Sequence, residues 1–329
     1  MTSRISRPRS PGSRLALTIA LRVASVALIL LVLSFLTFTL LYLAPGDLVK
    51  NLLGNRPSTP EAVAAVRAQY RLDDPFLVRY ADWLLSALRG DFGVSIRLQQ
   101  PVTAVIMSRL GVTSLLIGLS FLFAVVTAVP LGIISAARNG TRIDRAASAT
   151  ALFGLSAPSF ALAILSITLF AILIPIFPAY GAGSGGLDRL WHLFLPAAVL
   201  AAGIGAILMR MTRAAVLREF ESDAITFARA RGIPERVVRR IALRSALIPI
   251  VTSAGLILTF IIGGTIIVET VFALPGIGQL LEEAVLFKDL PVVQAITLLV
   301  AAAIAIITIV VDLSYLLLDP RVRARELTA

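Results

Sequence analysis

Few residues in this chain are equipped for covalent chemistry. It contains one histidine, His192, and no cysteine. That leaves no thiolate ligands, no disulfides and no imidazole cluster to hold a metal. A Ser–His–Asp hydrolase would have to be built on that single ring, and its neighbour Trp191 marks the position as interfacial. The only lysines are Lys50, after Val49, and Lys288, after Phe287. A phosphate-binding loop needs Gly-Lys followed by Ser or Thr, so neither can serve. No catalytic, cofactor-binding or metal-binding residue is assigned.

Ionisable groups inside apolar stretches are costly and usually functional. Here they are rare: Arg22, Glu269 and Asp312 sit near the ends of such stretches. There is no Asp, Glu, His or Lys relay to carry protons and no acid–base pair to cut a bond. Glu269 is the most informative acid. It is a candidate for shaping an outer gate or for capping local backbone. Asp312 is expected to pair with an arginine of the segment 213–250.

That segment holds the densest signals. Glu221-Ser222-Asp223-Ala224-Ile225-Thr226-Phe227-Ala228-Arg229-Ala230-Arg231-Gly232-Ile233-Pro234-Glu235 reads as helix, turn, helix. Ser222 or Asp223 can cap the start. Arg229 and Arg231 suit the negative end of the helix dipole, and Gly232 the left-handed position after it. Pro234 suits the first turn of the next helix. Phe227 with Ala224, Ala228 and Ala230 makes a slim, partly apolar knob among charges. Such a helix either docks in a partner's groove or lies on lipid head groups.

The elements that position these residues are apolar. The chain is 58% hydrophobic and 15% charged over 329 residues, whereas soluble domains carry about 25% charged residues. Six runs have the roughly 20 residues needed to span hydrocarbon: 23–43, 112–135, 147–176 with a kink expected at Pro158, 193–211, 247–268 and 292–318. The net charge of +11 comes from arginines between the runs, which orient helices in a membrane rather than bind nucleic acid. Arg4, Arg7, Arg9 and Arg14, then Arg138, Arg142 and Arg145, then nine arginines from Arg210 to Arg244, then Arg321, Arg323 and Arg325 all fall on one side of six crossings. That side is cytoplasmic and holds both termini. The expected plan is one all-α integral membrane domain, 1–329. Residues 1–22 and 319–329 are its cytoplasmic ends, 44–111 an outer loop with polar helices near 60–70 and 75–88, and 212–246 a cytoplasmic loop.

Ala228-Arg229-Ala230-Arg231-Gly232, with Ala242-Leu243-Arg244-Ser245-Ala246-Leu247-Ile248-Pro249, resembles the "EAA" loop of binding-protein-dependent importer permeases, nearest to the dipeptide, oligopeptide and nickel branch. Thr226 and Phe227 stand where the pattern has Glu and Ala. Leu43-Ala44-Pro45-Gly46-Asp47, Tyr70-Arg71-Leu72-Asp73-Asp74-Pro75, Leu88-Arg89-Gly90-Asp91-Phe92-Gly93, Val268-Glu269-Thr270-Val271-Phe272 with Leu274-Pro275-Gly276-Ile277-Gly278, and Leu318-Asp319-Pro320-Arg321-Val322-Arg323 are similar to further marks of that family. The resemblance implies a type I ABC importer permease fold in the cytoplasmic (inner) membrane. It implies a second, similar permease, two P-loop ATPases that bind ATP and Mg, and an extracytoplasmic binding protein. On it, Asp223, Phe227, Ala228, Arg229, Ala230, Arg231 and Gly232 form the coupling helix against the ATPase. The implied cargo is a di- or oligopeptide; nickel and glutathione are the alternatives within the branch. A self-sufficient channel or carrier is the competing class.

Overall fold

The computed structural model describes residues 11–43, 59–69 and 73–318. The family marks at 44–47, 70–72 and 319–323, and the terminal arginines Arg4, Arg7, Arg9, Arg321, Arg323 and Arg325, lie outside the described residues. In chain order the helices are α1 (Pro11–Leu43), α2 (Pro60–Gln69), α3 (Phe76–Leu88), α4 (Val102–Ala137), α5 (Arg142–Ser156), α6 (Ser159–Ile167), α7 (Gly186–Phe220), α8 (Asp223–Ala230), α9 (Glu235–Val271), α10 (Ile277–Leu286) and α11 (Leu290–Leu318). Among the described residues, α1, α4, α7, α9 and α11 are each long and apolar enough to cross a membrane; α5 with α6, which a π-helical segment (Thr168–Leu173) extends, brings the number to six where this bent pair is counted as one span.

The helices overrun the apolar runs. α4 has 36 residues, or roughly 54 Å at 1.5 Å per residue, against about 30 Å of hydrocarbon. It begins at Val102, inside the stretch expected to be outer loop. On the opposite side α7 continues through Arg210, Arg213 and Arg218 to Phe220, and α9 already starts at Glu235. Most of the expected cytoplasmic loop 212–246 is therefore helix, and only α8 and its flanking turns interrupt it. Hydropathy registers where lipid ends, not where backbone hydrogen bonding ends.

The third crossing departs further from expectation. Instead of kinking at Pro158, the chain breaks there, and α5 and α6 diverge by 101°. Proline disfavours helical backbone in the residue before it, and Ala157 is extended at φ −80°, ψ 123°. Pro130, Pro196 and Pro249 stay inside continuous helices.

α7 is the central helix, with α4 on one side and α9 on the other. Leu116, Leu193, Leu200, Leu208, Ile257 and Ile261 are buried in their common core. Small residues set the spacing, as membrane helices commonly require. A side chain at Gly132 would start 2.7 Å from the Met209 carbonyl oxygen and 2.8 Å from Thr212 Cβ. Gly132→Val should therefore push α4 and α7 apart near their C-terminal ends, at a cost of about 1–3 kcal/mol. Thermal unfolding in detergent reads this directly, and an unshifted midpoint would show that the two helices are not in contact there.

α1 and α11 pack together at the margin. Arg22 on α1 forms an ion pair with Asp312 on α11. This corrects the expectation that Asp312 meets an arginine of segment 213–250: α1 packs on α11, and its arginine reaches the acid first. Further out, Gln294 Nε2 donates to the Thr37 carbonyl at 3.2 Å, and Ser34 shares a 2.7 Å hydrogen bond with Tyr80 of α3. Phe38 meets Phe76, Tyr80 and Trp83 in one aromatic cluster, so Tyr80 and Trp83 pack inward.

Candidate functional site

α8 is a short helix between the C-terminal end of α7 and the N-terminal end of α9. One face is fixed. Ile225 and Ala228 are buried with Val238 and Ala242 of α9, and Phe220 and Ile233 close the cluster. The other face is bare: Asp223, Ala224, Phe227, Ala230 and Arg231 are exposed, and Phe227 is 70% exposed. The residues expected to form a coupling helix thus divide. Ala228 belongs to the support, and the remainder to the surface.

The end of α8 is closely specified. Gly232 sits at φ +74°, a conformation that costs other residues about 1 kcal/mol or more. Its N–H donates to the Arg229 carbonyl at 2.9 Å, and the Ile233 N–H to the Ala228 carbonyl at 3.2 Å. These are the two bonds of a Schellman C-cap. The apolar contact that accompanies the motif is supplied by Ile233 against the Ala228 cluster. Arg229 then pairs with Glu235 across the turn at 3.2 Å, and that hydrogen bond raises the guanidinium pKa. At the other end Ser222 holds the N-cap position without capping. Its hydroxyl donates back to Glu219 at 2.8 Å, and Asp223 is left to face the positive end of the dipole.

An open groove of about 660 Å³ runs beside α8, lined by Arg213, Ala214, Leu217, Arg218, Glu221, Ser222 and Asp223. Its inner wall leads to a buried acid that the sequence reading passed over. Asp144, 5% exposed, accepts from Arg213 Nε at 2.7 Å and Nη2 at 2.9 Å. It also accepts from Ser135 Oγ at 2.5 Å and the Gly140 N–H at 2.9 Å. Arg213 further donates to Asn139 at 3.0 Å. The pair ties the ends of α4 and α7 to the start of α5. One sequence signal was available: Thr141-Arg142-Ile143-Asp144 has the spacing of a capping box, and Thr141 accepts from the Asp144 N–H at 3.4 Å.

Two more buried acids organise the ends of the helices opposite α8. Glu269 is fully buried. It accepts from Thr113 Oγ1 of α4 at 2.6 Å and from the Gly278 and Gln279 N–H groups at 2.7 and 3.1 Å. Thr113 in turn accepts from the Ile277 N–H at 2.8 Å. The unpaired donors at the start of α10 are thereby satisfied, and α4, α9 and α10 meet at one carboxylate. Gly276 leaves room for it, since a Cβ there would lie 2.2 Å from the Glu269 carboxyl. Asp289, between α10 and α11, accepts from Ser95 Oγ at 2.5 Å and from the Ile96 and Arg97 N–H groups at 3.0 and 3.2 Å. Arg97 also pairs with Glu283 at 2.7 Å and lies 3.9 Å from the Phe287 ring centroid. Asp289→Ala should release this turn, because three donors lose their acceptor at about 1–3 kcal/mol each. Limited trypsin digestion should then cut at Arg97 several-fold faster; unchanged cleavage would refute the anchoring.

Among the described residues no group of His, Asp and Glu is placed to hold a metal. His192 approaches Asp188 of its own helix, at 3.3 Å.

Residues 128–324 match the family described as the inner membrane component of binding-protein-dependent transport systems, and residues 16–117 match its N-terminal family. A putative peptide transport system permease protein of Brucella abortus is 38% identical over 306 residues, covering 92% of this chain and 97% of that protein. The oligopeptide transport system permease protein AppB of Bacillus subtilis is 35% identical over 301 residues, covering 89% and 95%. The glutathione transport system permease protein GsiC of Escherichia coli is 36% identical over 295 residues, covering 89% and 94%. Among solved structures, a chain of the inward-facing MetNI methionine ABC transporter superposes with a TM-score of 0.54 at 21% identity, covering 65% of this chain and 96% of that one. The last likeness concerns the fold.

Proposed function

The chain belongs to the family of inner membrane components of binding-protein-dependent transport systems, a multi-pass protein of the cytoplasmic membrane, and from that premise we propose that it is the pore-forming subunit of an ATP-driven peptide importer. In this reading an extracytoplasmic binding protein delivers di- or oligopeptides. A second, similar permease completes the path, and two P-loop ATPases carry all ATP and Mg. The path opens alternately to either side of the membrane, and this subunit does no covalent chemistry.

The observation that carries the proposal is α8: a rigidly backed helix with Phe227 bare on its cytoplasmic face, in a chain whose two lysines cannot make a phosphate-binding loop. Exposed aromatics on fixed supports are the usual anchors of interfaces. Asp223, Phe227, Arg229, Ala230, Arg231 and Gly232 form the ATPase-facing surface, with Ala228 behind it. On the outer side, Glu269 holds α10 between α4 and α9, which makes it the fixed point of an outer gate. The peptide cargo is supported by the names of the relatives, two of them peptide systems and one a system for glutathione, itself a small peptide.

The test is uptake of labelled peptide into proteoliposomes. Uptake is expected only when both permeases, the ATPases, the binding protein and ATP are all present. Uptake by this chain alone, without ATP, would replace the proposal with a self-sufficient carrier.

A further inference from the structure

The Asp144–Arg213 pair has more partners than simple packing needs. Arg213 lies on α7, two turns before Phe220 and the start of α8. Its fork grips both oxygens of Asp144, and the same carboxylate holds Ser135 in the last turn of α4 and the Gly140 N–H in the connecting turn. The pair is shielded, with side-chain exposures of 26% for Arg213 and 7% for Asp144. Just outside it, Gly132 brings α4 against Met209 and Thr212 of α7 with no space between them. A displacement of α8 reaches α7 directly through the turn at 221–222. It reaches α4 and α5 at this level through the bidentate pair.

Buried ion pairs contribute little net stability compared with apolar packing. Their consequence is geometric, because a bidentate fork fixes both distance and orientation. We propose that Asp144 and Arg213 are positioning residues for transport. They make α4, α5 and α7 follow α8 as one unit, so that motion at the ATPase surface becomes motion of the path. This rests on the reading of α8 as the ATPase-facing helix.

The informative quantity is the number of peptides moved per ATP hydrolysed, measured on the full complex in proteoliposomes. Asp144→Asn and Arg213→Gln each leave one charge of a shielded pair without its partner and are expected to lower stability, so uptake and hydrolysis are both normalised to the complex recovered. Both should keep ATP hydrolysis within about twofold of wild type while peptide uptake falls about tenfold, a change within the usual range of coupling free energies. Arg213→Lys keeps the charge without the fork and should fall between. Two results would overturn the proposal: an unchanged ratio of peptide to ATP, or uptake and hydrolysis falling together in step with complex yield, which marks a purely structural pair. Failure of the wild-type chain to bring down any ATPase is a different outcome, and it overturns the coupling reading of α8 itself.

Discussion

Glu269→Ala is expected to lower the unfolding midpoint of the purified subunit by about 10 °C. The carboxylate accepts from Thr113 Oγ1 and from the N–H groups of Gly278 and Gln279 in a fully buried site. Alanine would leave all three donors without an acceptor and without water. At about 1–3 kcal/mol for each stranded donor, less the desolvation no longer borne by the carboxylate, the net loss is about 4 kcal/mol. Thr113→Val strands only the Ile277 N–H and removes one donor to the carboxylate, so it should cost about 1 kcal/mol. Glu269→Gln keeps one oxygen acceptor and should fall between the two. The ranking Ala, Gln, then Val identifies the cause. Equal effects for all three, or no shift for alanine, would mean that the carboxylate does not hold α10 in place.

Phe227→Ala should leave folding intact and abolish most transport. Phe227 is 70% exposed, so its removal creates no cavity. As a central anchor in a partner's groove it should contribute at least about 2 kcal/mol, equivalent to roughly 30-fold weaker binding of the ATPase. Peptide uptake should fall accordingly. Ile225→Ala, two residues earlier, is the contrasting case. Ile225 is 1% exposed, and truncating it should cost about 2–4 kcal/mol of stability, loosening α8 from α9. The two substitutions separate surface from support on one short helix. If Phe227→Ala transports normally, the exposed face of α8 is not the docking surface.

The sequence shows which parts of this molecule are long, apolar or capped, and less of what lies buried between distant segments. The crossings were legible because hydropathy reports lipid contact. Their ends were not, because α4, α7 and α9 stay helical well beyond the hydrocarbon. The turn after α8 was legible residue by residue, since Gly232, Pro234 and Glu235 each carry a local backbone preference. Ser222 shows the limit of such reasoning: its hydroxyl had two acceptable backbone uses and took Glu219. The pairings of Asp144 with Arg213, Asp289 with Ser95 and Asp312 with Arg22 span dozens to hundreds of residues. A single sequence holds no local signal for such contacts. Asp144 and Asp289 were also hidden by their setting, one among arginines and one beside Lys288, where each reads as a surface charge.

The central claim is that this chain presents α8 to a separate ATPase. The most direct test is purification of the tagged chain in mild detergent, with co-purifying proteins identified by mass spectrometry, for wild type and Gly232→Asp. An aspartate at φ +74° strains the C-cap and adds a charge beside the exposed face without touching the membrane core. The account predicts that P-loop ATPases accompany the wild type and are largely lost from the variant, while the second permease is retained in both. Equal ATPase recovery with the two proteins, or a well-folded wild type that brings down none, would contradict it.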